Sequence, residues 1–157
     1  MPSLRVFSLI VGVASSFAGC SRAQTAFEQV QICAGDERGV AQLKSLMRAV
    51  AQSENLQFID NSAQQAQDLK DTGADKALKR DVSHAIDLRI EGEGGLGVTA
   101  GNFGLPPYQV GLGFTEGRDP ATAHRVANHL ISSLSHRWNV QRVPSNQGIL
   151  PMKGCGA

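Results

Sequence analysis

Histidine has the widest chemical use of the residue types in this chain, because its imidazole binds metals and transfers protons near neutral pH. The sequence holds four: His84, His124, His129 and His136. On a helix, His129 and His136 would lie on nearly the same side and His124 would point away. No H-E-x-x-H pattern or carboxylate at ligand spacing accompanies them. We therefore predict exposed polar-face histidines, no metal site and no cofactor.

A second pattern with chemical meaning is the glycine-rich segment Gly92–Gly97, which matches G-x-G-x-x-G. Phosphate binding by such a loop needs a helix to begin there, because the helix N-terminus holds the anion. Residues 98–101 read as a strand instead. The segment is therefore predicted to be a hairpin turn and not a nucleotide site.

Nucleophilic or acid–base catalysis has no visible basis in the sequence. There is no G-x-S-x-G elbow, and the carboxylates Asp87 and Glu91 alternate on the polar side of a predicted strand. No catalytic constellation can be assembled from these residues. We predict that the protein is not an enzyme.

The first residues have the organisation of an export signal. Arg5 precedes an apolar run over residues 6–17, and the small residues Ala18 and Gly19 follow. The run is shorter than the roughly 18 residues of a membrane-spanning helix. A basic start, a short apolar core and small residues at the end predict a signal peptide over residues 1–19.

The residues Phe17-Ala18-Gly19-Cys20 resemble the lipobox of bacterial lipoprotein precursors. In that family the cysteine thiol receives a diacylglycerol and the chain is cut just before it, so the resemblance implies lipidation at Cys20 and a membrane anchor. Ser21 follows the cysteine, at the position where lipoproteins retained in the inner membrane of diderm bacteria commonly carry aspartate. The resemblance therefore implies sorting to the outer membrane. The alternative is ordinary secretion, with cleavage after Ser21-Arg22-Ala23.

Composition bounds the rest of the chain. Removing residues 1–19 from 157 leaves 138, enough for one domain with a core. We expect a lipidated tether over residues 20–30 and a single domain over 31–157. The chain carries 15 Lys+Arg against 14 Asp+Glu. This balance argues against nucleic acid or an anionic bilayer surface as the main partner.

The two remaining cysteines, Cys33 and Cys155, lie near the ends of the predicted domain. With Cys20 carrying lipid they form an even pair. In an oxidising compartment an even pair predicts a disulfide.

Apolar periodicity predicts the elements that hold these residues. Helices are expected over residues 37–53 and 120–136, begun by Asp36 and by Asp119-Pro120. Ser62 and Gln65 fit a capping box that opens a polar helix. Strands are expected over residues 56–60, 86–91, 96–100, 108–115 and 138–143. Short turns between strands predict an α+β two-layer sandwich, mainly an antiparallel sheet with helices on one face.

Glycine is concentrated in the predicted strand over residues 108–115 and in the segment before it. Nine of the 17 glycines fall within residues 92–117, and Gly111 and Gly113 share the strand face opposite the core. Glycine there marks either close approach by another chain or close packing of an internal segment such as the Cys155 tail. Phe103 and Leu105 in the adjoining loop are candidate partner contacts beside that face.

These observations lead to one functional hypothesis and one alternative. We expect an outer-membrane-anchored periplasmic lipoprotein that acts as a non-catalytic protein-binding module. It would be an accessory subunit of an envelope machine or an inhibitor of a periplasmic enzyme. The alternative is a small periplasmic enzyme, or a metal-binding carrier that uses the helix histidines.

Overall fold

The computed structural model describes residues 26–78, 81–102, 106–144 and 149–155. The predicted signal peptide, the lipobox with Cys20, and the loop residues Phe103 and Leu105 lie outside the described residues. Their predictions are neither supported nor contradicted by the fold.

Six strands within the described residues form one antiparallel sheet. They are β1 (Glu28–Cys33), β2 (Gln57–Asp60), β3 (Asp87–Glu91), β4 (Gly97–Gly101), β5 (Gln109–Thr115) and β6 (Gln141–Val143), in the spatial order β2-β3-β4-β5-β1-β6. The helices are α1 (Glu37–Ser53), α2 (Ser62–Asp71), α3 (Ala74–Leu78) and α4 (Pro120–Ser135). Helices α1 and α4 pack on each other and against the sheet. The predicted α+β fold is confirmed.

The core lies between the sheet and these two helices, because apolar residues alternate along the strands and recur every three or four residues along the helices. Strands β1, β3 and β5 and helices α1 and α4 supply its largest fully buried apolar side chains: Phe114, Ile32, Leu43, Met47, Leu88, Ile90, Leu112, Leu130 and Leu134. We call this side of the sheet the helix-covered face.

The helix ends follow the predicted capping chemistry. The Asp36 side chain accepts a hydrogen bond from the Gly39 amide at 2.8 Å, and Asp119 accepts one from the Thr122 amide at 3.1 Å. After α1, Asn55 adopts a left-handed conformation with φ 55°. The predicted N-caps of α1 and α4 are therefore confirmed.

The glycine-rich segment forms the turn between β3 and β4. A short 3₁₀ turn spans Glu93–Gly95, and Gly94 has φ 71°, a conformation that glycine adopts without steric cost. The two flanking strands pair antiparallel. The prediction of a hairpin turn is confirmed.

Two sequence predictions about local structure were wrong. The tether was expected to extend to residue 30, but the Phe27 amide donates to the Phe114 carbonyl at 2.9 Å and β1 begins at Glu28. The tether therefore ends before the sheet. The capping box at Ser62 is also absent from α2, because the Ser62 hydroxyl accepts a hydrogen bond from the Asp87 amide instead.

Candidate functional site

The side of the sheet opposite α1 and α4, which we call the outer face, carries small and polar residues. Two rows cross the strands there in register. One row is Arg89, Thr99, Gly113, Gln29 and Val143, and the next is Asp87, Gly101, Gly111, Gln31 and Gln141. Glycine thus leaves the backbone of β4 and β5 with little side-chain cover at the centre of the face.

An open groove of about 980 Å³ runs over this centre, and we call it the outer groove. Its floor contains Gly101, Gly111 and Gly113, and Thr99 stands on it as an exposed side chain. One wall is formed by side chains at the start of α2, and Ile149 forms part of the lining from the C-terminal segment. The α2 lining residues are Gln64, Gln65 and Asp68.

The polar groups of the outer groove are four side-chain amides, the Thr99 hydroxyl, the Asp68 carboxylate and one ion pair. Arg89 donates from Nε and from its terminal nitrogen to the two carboxylate oxygens of Asp87, at 3.1 and 3.0 Å. Hydrogen bonding to Asp87 raises the pKa of Arg89, so this pair is a fixed feature at neutral pH. The side-chain oxygen of Gln29 is buried at the groove and has no hydrogen-bond partner among the described residues.

One end of the outer face is covered by residues Ile149–Cys155, which we call the C-terminal strap. Gln109 of β5 is fully buried beneath it. Its side-chain Nε2 donates to the Leu150 carbonyl at 2.6 Å, and its Oε1 accepts from the Met152 amide at 2.7 Å. A single side-chain amide therefore satisfies two backbone groups of the strap.

The strap also covers Gly111. A methyl group placed on Gly111 would overlap the end of the Ile149 side chain, and Gly111 is buried. The prediction that Gly111 offers open backbone to a partner is therefore wrong, because the protein's own tail packs there. The alternative, that glycine accepts a closely packed internal segment, is confirmed at this position.

Gly113 has a different environment. Its Cβ position lies 3.4 Å from Thr99 Oγ1 and 3.6 Å from Ala26 Cβ, and the residue is half-buried in the floor of the outer groove. The prediction that Gly113 faces a partner stays a prediction. So does the prediction for Phe103 and Leu105.

The strap is attached covalently at its end. Cys33 and Cys155 form a disulfide with a Cα–Cα distance of 5.6 Å across a sequence separation of 122 residues. In the sheet, Cys33 lies opposite Gln109. The disulfide and the Gln109 hydrogen bonds therefore hold the strap at the same end of the outer face, and the predicted pairing is present.

A chain of glutamines continues from Gln109 across the outer face. Gln109 Nε2 donates to Gln31 Oε1 at 3.2 Å, and Gln31 Nε2 donates to Gln141 Oε1 at 3.0 Å. The three side chains connect β5, β1 and β6. Because each amide orients the next, the orientation of Gln109 toward the strap is fixed by the sheet.

Two of the histidines, His129 and His136, line one pocket on the helix layer, and the other two lie elsewhere. His84 stacks on Tyr108 with ring centroids 5.6 Å apart, and His124 contacts Glu116 at 3.2 Å. His129 Nδ1 lies 3.0 Å from Glu54 on the helix layer. The described ranges contain no group of three histidine, cysteine, aspartate or glutamate residues that could hold a metal ion.

Ionisable side chains meet at one point of the helix layer. Glu54 receives Arg125 Nε at 3.0 Å on one carboxylate oxygen and contacts His129 at 3.0 Å through the other. Hydrogen bonding to His129 and then to Arg125 holds the pKa of Glu54 below its ordinary value. Among the described residues, no serine or threonine hydroxyl is hydrogen-bonded to His129.

Sequence reasoning missed the polar residues of the outer face that matter most. Gln29 and Gln31 were missed because β1 was too short to predict, and Arg89 and Thr99 lie in predicted strands but were given no role in binding. Gln109 had a usable signal. It is the bulky amide at the start of a strand whose next two residues on the same face are glycines, and such an amide needs hydrogen-bond partners once it is covered.

Comparisons with known proteins add no relative to this description. No protein-family model, curated protein or solved structure matched the chain. Among the described residues, no helix combines the length and apolarity that crossing a bilayer requires.

Proposed function

We propose that this protein is an outer-membrane-anchored periplasmic lipoprotein whose domain binds an extended segment of another envelope protein without catalysis. The observation that carries the binding role is the outer groove, where glycines bring strand backbone to the surface between polar walls. The signal peptide and the lipobox at Cys20 are the basis of the anchoring role.

The disulfide supports the proposed location in an oxidising compartment. Bonds such as Cys33–Cys155 form and persist in oxidising surroundings, including the bacterial periplasm, and are rare in the cytosol. An exported domain of this size gains stability from such a bond, since it closes a long loop in the unfolded chain.

The composition of the outer groove supports a peptide as ligand. Gln64 and Gln65 offer both donors and acceptors, as a peptide backbone requires, and Gly101 and Gly113 permit close approach. The groove lining contains no aromatic side chain on which a sugar or a base would stack. Its one ion pair is internally neutralised and its further charged group, the Asp68 carboxylate, is negative, which disfavours an anion as ligand.

Photo-crosslinking in cells tests the binding proposal. A crosslinking residue at Thr99, in the outer groove, should capture a defined envelope protein, which mass spectrometry identifies. The matched control is a crosslinker at Ser45, which is exposed on α1 on the opposite layer. The purified partner should then bind Thr99→Arg about 5- to 150-fold more weakly than Ser45→Arg, as for loss of a contact of about 1–3 kcal/mol. Equal affinities for the two variants would contradict the proposal.

The lipid anchor has its own test. Radiolabelled palmitate should enter the wild-type protein and not the Cys20→Ala variant, which should accumulate as an uncut precursor or leave the membrane fraction. Label in both proteins would rule out Cys20 as the acceptor.

The alternative, a small periplasmic enzyme or a metal carrier, has one observation in its favour, the cluster of Glu54, Arg125 and His129. In this cluster the Glu54 carboxylate orients the His129 imidazole, as the orienting group of a catalytic base does. Calorimetric titration with Zn²⁺ or Cu²⁺ tests the carrier role. Stoichiometric binding lost in His129→Ala would favour the alternative.

A further inference from the structure

The C-terminal strap is held by contacts that a different peptide chain could also make. Gln109 pairs with the carbonyl of Leu150 and the amide of Met152, which are backbone groups common to every residue type except proline at the donor. Apart from the disulfide-bonded Cys155 and the half-buried Ile149 and Met152, the strap's residues are exposed. Leu150 is 57% exposed, and Pro151 and Lys153 are exposed as well.

One aliphatic side chain of the strap is seated closely on the sheet. Ile149 lies over Gly111, where the absence of a Cβ leaves the space that its aliphatic end occupies. This contact selects for an aliphatic group of limited size and requires no polar side-chain group. Together with Gln109, it defines a seat that recognises an extended backbone and one aliphatic side chain.

This seat is continuous with the outer groove. Ile149 and Gly111 line the groove together with Gly113, the next residue on the same face of β5. A peptide that lies in the outer groove and runs toward Gln109 would therefore meet Ile149. The strap and such a peptide compete for the same floor.

We infer that the strap is a built-in competitor for the peptide-binding face. In the complex, an extended segment of the partner protein places an aliphatic side chain on Gly111 and pairs with the Gln109 amide in place of the strap. The inference rests on the proposed function, and it specifies the ligand as an extended peptide with an aliphatic residue.

The disulfide sets how strongly the strap competes. A segment tethered by a short connection acts at an effective concentration of about millimolar or more, so a free peptide gains access only when the strap is loosened. Cys155 tethers the strap to Cys33, directly beside Gln109. Removing either the tether or the Ile149 side chain should therefore open the seat to a peptide in trans.

The test uses the full-length mature protein and a synthetic peptide with the sequence of residues 149–153, Ile-Leu-Pro-Met-Lys. Binding is followed by NMR through the side-chain amide signal of Gln109. Two variants open the seat independently, Cys33→Ser/Cys155→Ser and Ile149→Gly. Each should bind the peptide about tenfold more tightly than the wild type, equivalent to about 1.4 kcal/mol.

A substitution at Gly111 and a control on the opposite layer identify the seat. In the Ile149→Gly background, Gly111→Ala should weaken peptide binding about tenfold, because its methyl group fills the space for the aliphatic end. Ser45→Ala, at an exposed position of α1 on the opposite layer, should leave binding unchanged. Circular dichroism establishes that each variant is folded, and Ile149→Gly retains the disulfide if the double serine variant does not fold.

The result that overturns the inference is a folded Ile149→Gly protein that binds the peptide no better than the wild type. Equal effects of Gly111→Ala and Ser45→Ala would also overturn it. These failures differ from failure of the proposed function. If the strap is a fixed structural part, a partner can still crosslink at Thr99, whereas failure of the proposed function removes that crosslink and leaves peptide binding at Gly111 intact.

Discussion

The helix-covered face and the outer face are built from alternate residues of the same strands, yet they do different work. On β5, Val110, Leu112 and Phe114 face the helices and are fully or almost fully buried. The intervening Gln109, Gly111 and Gly113 face outward, where the strap covers only one end. One side of a strand can therefore supply the core of the fold while the other packs against a segment that is distant in sequence.

The largest effect should come from the helix-covered face. Phe114→Ala removes a side chain that is 1% exposed and packs near Phe27, with ring centroids 6.4 Å apart. We expect a loss of about 3–5 kcal/mol in the free energy of unfolding, measured by urea denaturation. Thr99→Ala on the outer face is the control and should change it by less than about 0.5 kcal/mol. Equal losses would mean that both faces carry the core.

The disulfide should give the next largest effect, and its local consequences should stay on the outer face. Cys33→Ser/Cys155→Ser is expected to lose about 2–4 kcal/mol of unfolding free energy. Hydrogen exchange should accelerate at Met152, whose amide donates to Gln109, while amides of α1 keep their relative protection. An unchanged exchange rate at Met152 would show that the Gln109 contacts alone hold the strap.

A smaller effect should separate the two glycines of β5. Gly111→Ala forces the end of Ile149 to move, and we expect it to cost about 1–2 kcal/mol, the lower part of the range for overpacking, because the strap can yield. Gly113→Ala should be close to neutral, since its added methyl group has ordinary contacts. Thermal unfolding monitored by circular dichroism compares the pair. A larger loss for Gly113→Ala would contradict the assigned position of the strap.

The sequence predicted the helix-covered face well because that face is determined by local periodicity. The bounds of α1 were predicted to the residue, and the α4 stripe and the alternation on β3, β4 and β5 also agree with the structure. The burial that these patterns describe is proportional to apolar area, which a sequence displays directly. Such elements are predictable because each apolar residue of the pattern adds buried area to the same face.

The outer face was predicted less well because its contacts are distant in sequence. Gln109 depends on Leu150, 41 residues away, and on Gln31, 78 residues away. Strand β1 lies between β5 and β6 in the sheet, and the alternation of Val30 and Ile32 with Gln29 and Gln31 extends over too few residues to predict it. The glycines of β5 signalled close approach, but the sequence could not tell whether the approaching chain was the protein's own.

The smallest effect concerns the response to acid, which should differ between the helix layer and the C-terminal strap. Glu54 connects the end of α1 to Arg125 and His129 of α4, and hydrogen bonding to His129 and then to Arg125 lowers its pKa in the folded protein. A carboxyl whose pKa is lower when folded stabilises the fold above its unfolded pKa. That stabilisation is lost as the pH falls from the ordinary value of about 4.3 through the lower folded value.

Since the strap is held by an amide, an aliphatic contact and a disulfide, none of which titrates in this range, acid should weaken the helix layer and leave the hold on the strap unchanged. We expect Glu54→Gln to lose about 0.2–1 kcal/mol at pH 7 and low salt, as for exposed ion pairs, and less at high salt. The difference from the wild type should shrink when unfolding is measured at pH 3. Glu93→Gln, at an exposed position in the hairpin turn, is the matched control and should show no such change. A difference for Glu54→Gln that stays constant between pH 7 and pH 3 would assign its effect to packing, because only the ionised carboxylate binds Arg125 and His129 in this way.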